Sequence, residues 1–333
     1  MELIKRLCEA YGPSGREDKI RKIIESEIKP YCKRIEIDAL GNLIAYKEPI
    51  RKGQTSKRIM FCAHMDEIGL IVKYIDRQGF LRFTNIGGIF PDRLINQRVI
   101  FENGTMGIIG VETKPETPKP VPLENMFIDI GARGDKEAKR FVKIGDIATF
   151  FQTFGILNKK IVAKAMDDRI GCWILIEVLK RVKNNKDELY FVFSVQEELG
   201  SRGARTGAFS VNPHYAIAVD VTATGDTPES PKMAVELGKG VALKIKDSAF
   251  LTSSFIKERL ILYAQKLKIP FQLEILEKGT TDASVIQLIR EGVQSGVLSV
   301  PTRYVHSPNE VCEINDARAA IKLLAYCAEK GFE

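Results

Sequence analysis

Apolar and polar positions follow three different rhythms along the chain. Near the N-terminus, Ile20, Ile23, Ile24 and Ile28 recur at helical spacing behind Ser14 and Glu17, a Ser-x-x-Glu pair of the capping-box kind, and predict an amphipathic helix. RIEIDALGNLIAY predicts two short strands around a Gly41-Asn42 turn, and RIMFCAHMD predicts a buried strand whose C-terminal end delivers His64 and Asp66. From about Gly69 to Phe154 the period shortens: LIVKYI, FLRFTNI, RVIFEN, MGIIGVET, FIDIGA and IATFFQTF alternate and are parted by Gly, Pro and Asn. Helical spacing returns there only around Lys136 to Phe141. This texture predicts a small β-barrel or sandwich, 69–154, inserted between two pieces of an α/β domain, 1–68 and 155–333. Asn103-Gly104 within it reads as a hairpin turn and TKPETPKPVP as a mobile Pro-rich loop.

After Lys160 strands and helices alternate. DDRIGCWILIEVLKRVK, TSSFIKERLILYAQKLK, DASVIQLIREG and NDARAAIKLLAYCAEK predict helices; LYFVFSVQEE, HYAIAVDVT, FQLEILEK and SGVLSVP predict strands. Asp167, Asp168, Glu197, Glu198 and Asp220 fall at strand ends or strand-to-helix turns, where open α/β sheets form their binding crevice.

Composition narrows the class. At 333 residues the chain exceeds the usual single-core size of about 250 to 300, and 44% hydrophobic with 28% charged residues suits a globular protein. No run reaches the roughly 18 apolar residues of a membrane helix. The opening MELIKRLCEAYG has no apolar signal core, so a cytoplasmic protein is expected. The net charge of +7 is dispersed without a basic arm or aromatic-basic ribbon, which argues against a nucleic-acid partner. Six cysteines stand singly and read as buried free thiols.

Candidate chemistry gathers around two of the three histidines, His64 in CAHMDEIGL and His306 in YVHSPNEV. Between them lie Asp167 and Asp168, Glu197 and Glu198, and Asp220, a mixed nitrogen and oxygen set suited to zinc, cobalt or manganese. A two-metal hydrolytic centre needs one bridging carboxylate and further ligands on each ion. Asp167 would bridge, His64 with Asp220 would complete one ion, and Glu198 with His306 the other. Glu197 would act as the base, and Asp66 would accept the His64 ring N–H. Taken singly, Asp167-Asp168 also reads as a helix cap, Glu197-Glu198 as a solvated loop and Asp220 as a turn residue. His214, in VNPHYA, belongs to no such pattern and reads as structural.

The stretches AHMDEIGLIV, KAMDDRIGCWILIEVL, VQEELGSRGARTGA, AVDVT, GTTDASVIQL and VLSVPTRYVHSPNEV together resemble the tetrahedral (TET), deblocking or glutamyl-type aminopeptidases, a family of dinuclear metallo-exopeptidases. The resemblance runs in order from residue 63 to 311. It implies a mixed-sheet, three-layer α/β metallo-exopeptidase domain with an inserted barrel-like domain used in assembly to dimers and dodecamers. It also implies cleavage of peptides at a free N-terminus with two divalent ions, zinc or cobalt. Metal ligands would be His64, Asp167, Glu198, Asp220 and His306, with Glu197 as general base, Asp66 as orienter and a cis bond between Asp167 and Asp168. Asp282, in GTTDAS, would line the substrate cleft, or else cap a helix. Ala223 stands where relatives often carry a histidine. The alternatives are an endoglucanase, as some relatives are labelled, and a non-enzymatic assembly protein, which a broken ligand set would mark.

Overall fold

The computed structural model describes residues 1–50, 56–112 and 121–332, so all but the last two residues of TKPETPKPVP lie outside them. Four strands form the centre of an eleven-stranded mixed sheet: Glu188–Ser194, Arg58–His64, Tyr215–Thr222 and Gln294–Arg303 lie side by side and parallel. Their C-terminal ends share one edge, where Ser194 stands opposite His64. The outer strands Leu43–Lys47 and Arg34–Ile37 continue the sheet antiparallel, as the Gly41-Asn42 turn predicts.

Period-2 alternation places these strands between two apolar clusters. Phe61, Ala63, Phe191 and Phe193 join the larger cluster with helices Glu2–Glu9, Asp18–Ile28, Met166–Arg181, Ser254–Lys266 and Ile314–Lys330. Met60, Cys62 and Val192 point the other way, onto Ala204, Ala208 and Val211 of helix Arg202–Val211 and onto Ile286. Burial on both faces explains why the strand sequences read as continuous apolar runs.

The predicted small β-unit is a closed six-stranded barrel: Gly69–Ile75, Leu81–Ile86, Met126–Asp129, Met106–Val111, Arg98–Phe101 and Ile147–Phe150, in that order around the wall. Leu81, Phe83, Val99, Ile109 and Ile128 fill its interior. Closure removes free strand edges. Glu67 ties the barrel to the rest of the chain, because its buried carboxylate accepts from Thr149 Oγ1 in the barrel at 2.6 Å, from Gly12 N at 3.1 Å and from Lys164 Nζ at 2.8 Å.

Three local readings change. Residues 2–9, to which the sequence pattern assigns no element, are helical, with Ile4, Leu7 and Cys8 buried. The helix predicted over DASVIQLIREG is confined to Ala283–Ile286, and left-handed Arg290 and Gly292 follow it. Ser14 and Glu17 do not form a capping box: the helix Asp18–Ile28 carries no side-chain cap bond, and both side chains turn inward to other partners. Five of the six cysteines are buried. Among the described residues no helix is long and apolar enough to cross a membrane.

Candidate metal centre

The parallel strands deliver the candidate residues to one edge. His64 ends its strand, Asp220 lies near the end of the neighbouring strand, and Glu197 and Glu198 occupy the turn after Ser194. Asp167 and Asp168 stand at the start of helix Met166–Arg181 with non-helical φ/ψ, and the bond between them is cis. His306 sits in the turn between Gln294–Arg303 and Glu310–Glu313, with φ 60°.

Asp167 divides its carboxylate between the two imidazoles. Its Oδ1 lies 3.0 Å from His64 Nε2, and its Oδ2 lies 3.2 Å from His306 Nε2. Asp220 Oδ1 approaches His64 Nε2 at 4.0 Å on one side, and Glu198 Oε1 approaches His306 Nε2 at 3.2 Å on the other. Asp168 is also within ligand reach of His64 and Asp220. One of its oxygens already accepts the His64 backbone N–H at 3.2 Å, so we read it as a brace behind the cluster.

The second ring nitrogen of His64 orients the ring. Nδ1 lies 3.1 Å from the Asp66 carbonyl oxygen, which can only accept, so Nδ1 carries a proton and Nε2 is turned toward Asp167 and Asp220. The Asp66 carboxylate is farther from that ring nitrogen, at 3.5 Å. It is spent instead on the backbone N–H groups of Glu197 at 2.9 Å and Glu198 at 3.2 Å. Asp66 therefore meets His64 mainly through its main chain and meets the acidic turn through its side chain.

Crowded acids in a buried place shift one another. Burial, then repulsion from Asp167, holds the Asp220 carboxyl well above the usual carboxylate range. Burial likewise raises Glu197, with Asp282, Asp220 and Glu198 adding to the rise. Burial works against a charged His306, yet Glu198 and Asp167 carry it up to about 12. The donor set fits divalent cations: two imidazole nitrogens, carboxylates converging from three chain segments, and a buried Glu198 Oε1 that faces His306 Nε2 at 3.2 Å.

Sequence reasoning passed over several supporting groups. Glu310 is buried, and its carboxylate accepts from Asp167 N at 3.0 Å and from His306 N at 2.7 Å, so one side chain locates both His306 and the shared Asp167. Burial and the Asp167 charge raise its carboxyl to about 8. Gly87 and Gly88, at the end of a barrel strand, press against Glu198 and His306. A Cβ on Gly87 would meet Glu198 Oε2 at 2.7 Å, and one on Gly88 would meet His306 Nδ1 at 2.9 Å. The PNEV and IGG stretches carried these signals, but only tertiary contact gives them meaning.

A cavity of about 680 Å³ opens over the cluster, lined by His64, Asp167, Glu197, Glu198, Asp220 and His306 together with Phe90 and Arg93 from the barrel segment. The barrel thus supplies part of the site's wall. Thr280 and Thr281 line the cavity while Asp282 does not; its buried carboxylate accepts from Ser194 Oγ at 2.5 Å and stands at the N-cap position of the short helix. His214 lies apart, its Nδ1 accepting from Arg58 N at 3.0 Å.

A cavity floored by imidazoles and carboxylates at the edge of such a sheet has the chemistry of a metal-binding site. The model of the M42 glutamyl aminopeptidase family matches residues 41–323, and the chain belongs to that family. It is 46% identical over 323 residues, 97% of this chain and 96% of the relative, to an Acetivibrio thermocellus protein provisionally named an aminopeptidase. Among solved structures it resembles the aminopeptidase APDkam598 of the archaeon Desulfurococcus kamchatkensis, with a TM-score of 0.95 and 37% identity over 99% of this chain and 94% of that one. It also resembles PhTET1-12s, described as a dodecamer, with a TM-score of 0.88 and 35% identity over 99% of this chain and 98% of that one. The family expected from the motifs is the family found.

Proposed function

We propose that this aminopeptidase removes single residues from the free N-termini of peptides, with Glu197 as general base and two divalent ions, zinc or cobalt, held on either side of Asp167. The observation that carries the reading is the divided Asp167 carboxylate, 3.0 Å from one imidazole and 3.2 Å from the other. His64 and Asp220 would complete one ion, and Glu198 and His306 the other. When bound, such ions supply Lewis-acid polarisation of the scissile carbonyl and lower the pKa of water.

The chain's own groups do the rest. Glu197, on the cavity wall, takes the proton from the attacking water and returns it to the leaving amine. Asp66 holds the acidic turn in place through the N–H groups of Glu197 and Glu198. Asp282 belongs to the substrate end through Thr281, which it follows directly and which faces the cavity. In the same reading residues 1–68 and 155–333 form a three-layer catalytic domain. Residues 69–154 form an assembly domain for a dimer and a dodecamer like that of PhTET1.

Glycoside hydrolysis fits the site less well. The carboxylates stand against imidazoles rather than alone across a sugar-sized gap, and one Trp in the chain offers little stacking surface. A non-enzymatic role is opposed by the intact set of ligands and base. The deciding assay incubates purified protein plus cobalt or zinc with a peptide, its N-acetylated form and carboxymethyl-cellulose, with and without chelator. Metal-dependent release of amino acid from the free peptide alone is expected. Equal cleavage of the acetylated peptide, or reducing sugar from cellulose with no amino acid from peptide, contradicts the proposal.

A further inference from the structure

The segment Gly12 to Glu17 has no part in the reaction described so far, yet its buried Ser14 and Glu17 side chains reach Asp66 and the acidic turn. Ser14 and Glu17 are 2% and 4% exposed. The Ser14 hydroxyl donates to Asp66 Oδ2 at 2.6 Å. Glu17 Oε1 accepts from Gly15 N at 2.8 Å and from Gln196 N at 3.2 Å. Gln196 is in the left-handed region, with φ 56°, immediately before the proposed base.

Three consecutive N–H groups therefore end on two buried carboxylates: that of Gln196 on Glu17, those of Glu197 and Glu198 on Asp66. The segment is itself fastened alongside Asp66, since Ser14 N donates to Glu67 O at 3.3 Å and Glu67 N to Gly12 O at 3.1 Å. Two acids buried side by side repel each other. A helix cap alone would not require that arrangement, because the helix begins at Asp18 and takes no side-chain cap bond. Backbone N–H groups buried in the acidic turn, which need acceptor oxygens, do account for it.

The geometry points to Ser14 and Glu17 as positioning residues: a strap over residues 12–17 holds the backbone of the acidic turn and so aims the Glu197 carboxylate into the cavity. The inference rests on Glu197 being the base. Glu17 acts directly on the turn through Gln196 N, and Ser14 acts through Asp66. Neither touches substrate, and neither is within the cavity lining.

The test compares Glu17→Ala, Glu17→Gln and Ser14→Ala in the full-length, metal-loaded protein, with Glu197→Gln alongside. For each, kcat and KM on a peptide amide, bound metal and thermal midpoint are measured. Supporting groups of this kind are commonly worth about 10- to 100-fold. On that scale Glu17→Ala should lose about 30-fold in kcat, with KM changed less than about 2-fold and the metal count unchanged. Glu17→Gln keeps an acceptor oxygen and should recover most of the loss, while Ser14→Ala should lose about 5-fold in kcat. A folded Glu17→Ala protein with wild-type kcat overturns the proposal, as does a Glu17→Gln protein no better than Glu17→Ala. If Glu17→Ala does not fold, wild-type kcat in Ser14→Ala overturns it. Full activity in Glu197→Gln would instead remove the base assignment, and that outcome is read independently of the strap variants.

Discussion

The two halves of the cluster are built differently although both end on Asp167. On the His64 side, the imidazole is carried by a central parallel strand, its side chain is 3% exposed, and its second nitrogen is fixed by the Asp66 carbonyl. On the His306 side, the imidazole sits in a turn at φ 60° and its side chain is 25% exposed. That half depends on Glu310, which holds the His306 N–H, and on the Gly87-Gly88 approach from the barrel. The contrast teaches that one imidazole is placed directly by the sheet, while the other stands in a turn that a segment of the inserted barrel approaches. A barrel bound only for assembly would not have to touch a ligand.

The largest expected effect separates the base from both halves. Glu197→Ala should lower kcat by about 10²- to 10⁴-fold, while metal analysis still finds what the wild type binds. Loss of metal together with activity would make Glu197 a ligand instead.

Next comes the asymmetry in stability of the metal-free protein, measured by urea unfolding. Removing His64 leaves Asp167, Asp168 and Asp220 buried around the vacated position, so His64→Ala should cost about 3 kcal/mol, as broken buried pairs do. His306→Ala should cost about 1 kcal/mol, because its partly exposed side chain leaves partners that water can reach. The reverse order would break the comparison.

The smallest effect probes the barrel contact. Gly88→Ala would crowd His306 Nδ1, and kcat should fall about 10-fold with the His64 half undisturbed. An unchanged kcat would show that the barrel merely lies near the site.

Much of this was legible in the sequence because the local pattern and the tertiary outcome agree. RIMFCAH, LYFVFSV, AIAVDVT and SGVLSVP are apolar on both faces, as central parallel strands must be, and the histidine and acids stand where those strands end or turn. The barrel strands announced themselves by alternation and turn residues. What failed was whatever a local rule could explain too cheaply. Ser14 and Glu17 have capping-box spacing, so their reach to Asp66 and Gln196, dozens to well over a hundred positions away, was invisible. Helix Arg202–Val211 buries small residues, Gly203, Ala204, Gly207 and Ala208, in place of the large aliphatic stripe by which Asp18–Ile28 shows itself. Glu310 and Gly88 earn their roles only from what approaches them in space.

The central claim is that one carboxylate serves both halves, and counting tightly bound metal by mass spectrometry tests it most directly. Wild type should hold two equivalents, His64→Ala and His306→Ala one each, and Asp167→Ala none. An Asp167→Ala protein that is folded and still holds two equivalents, or a histidine variant that loses none, would contradict it.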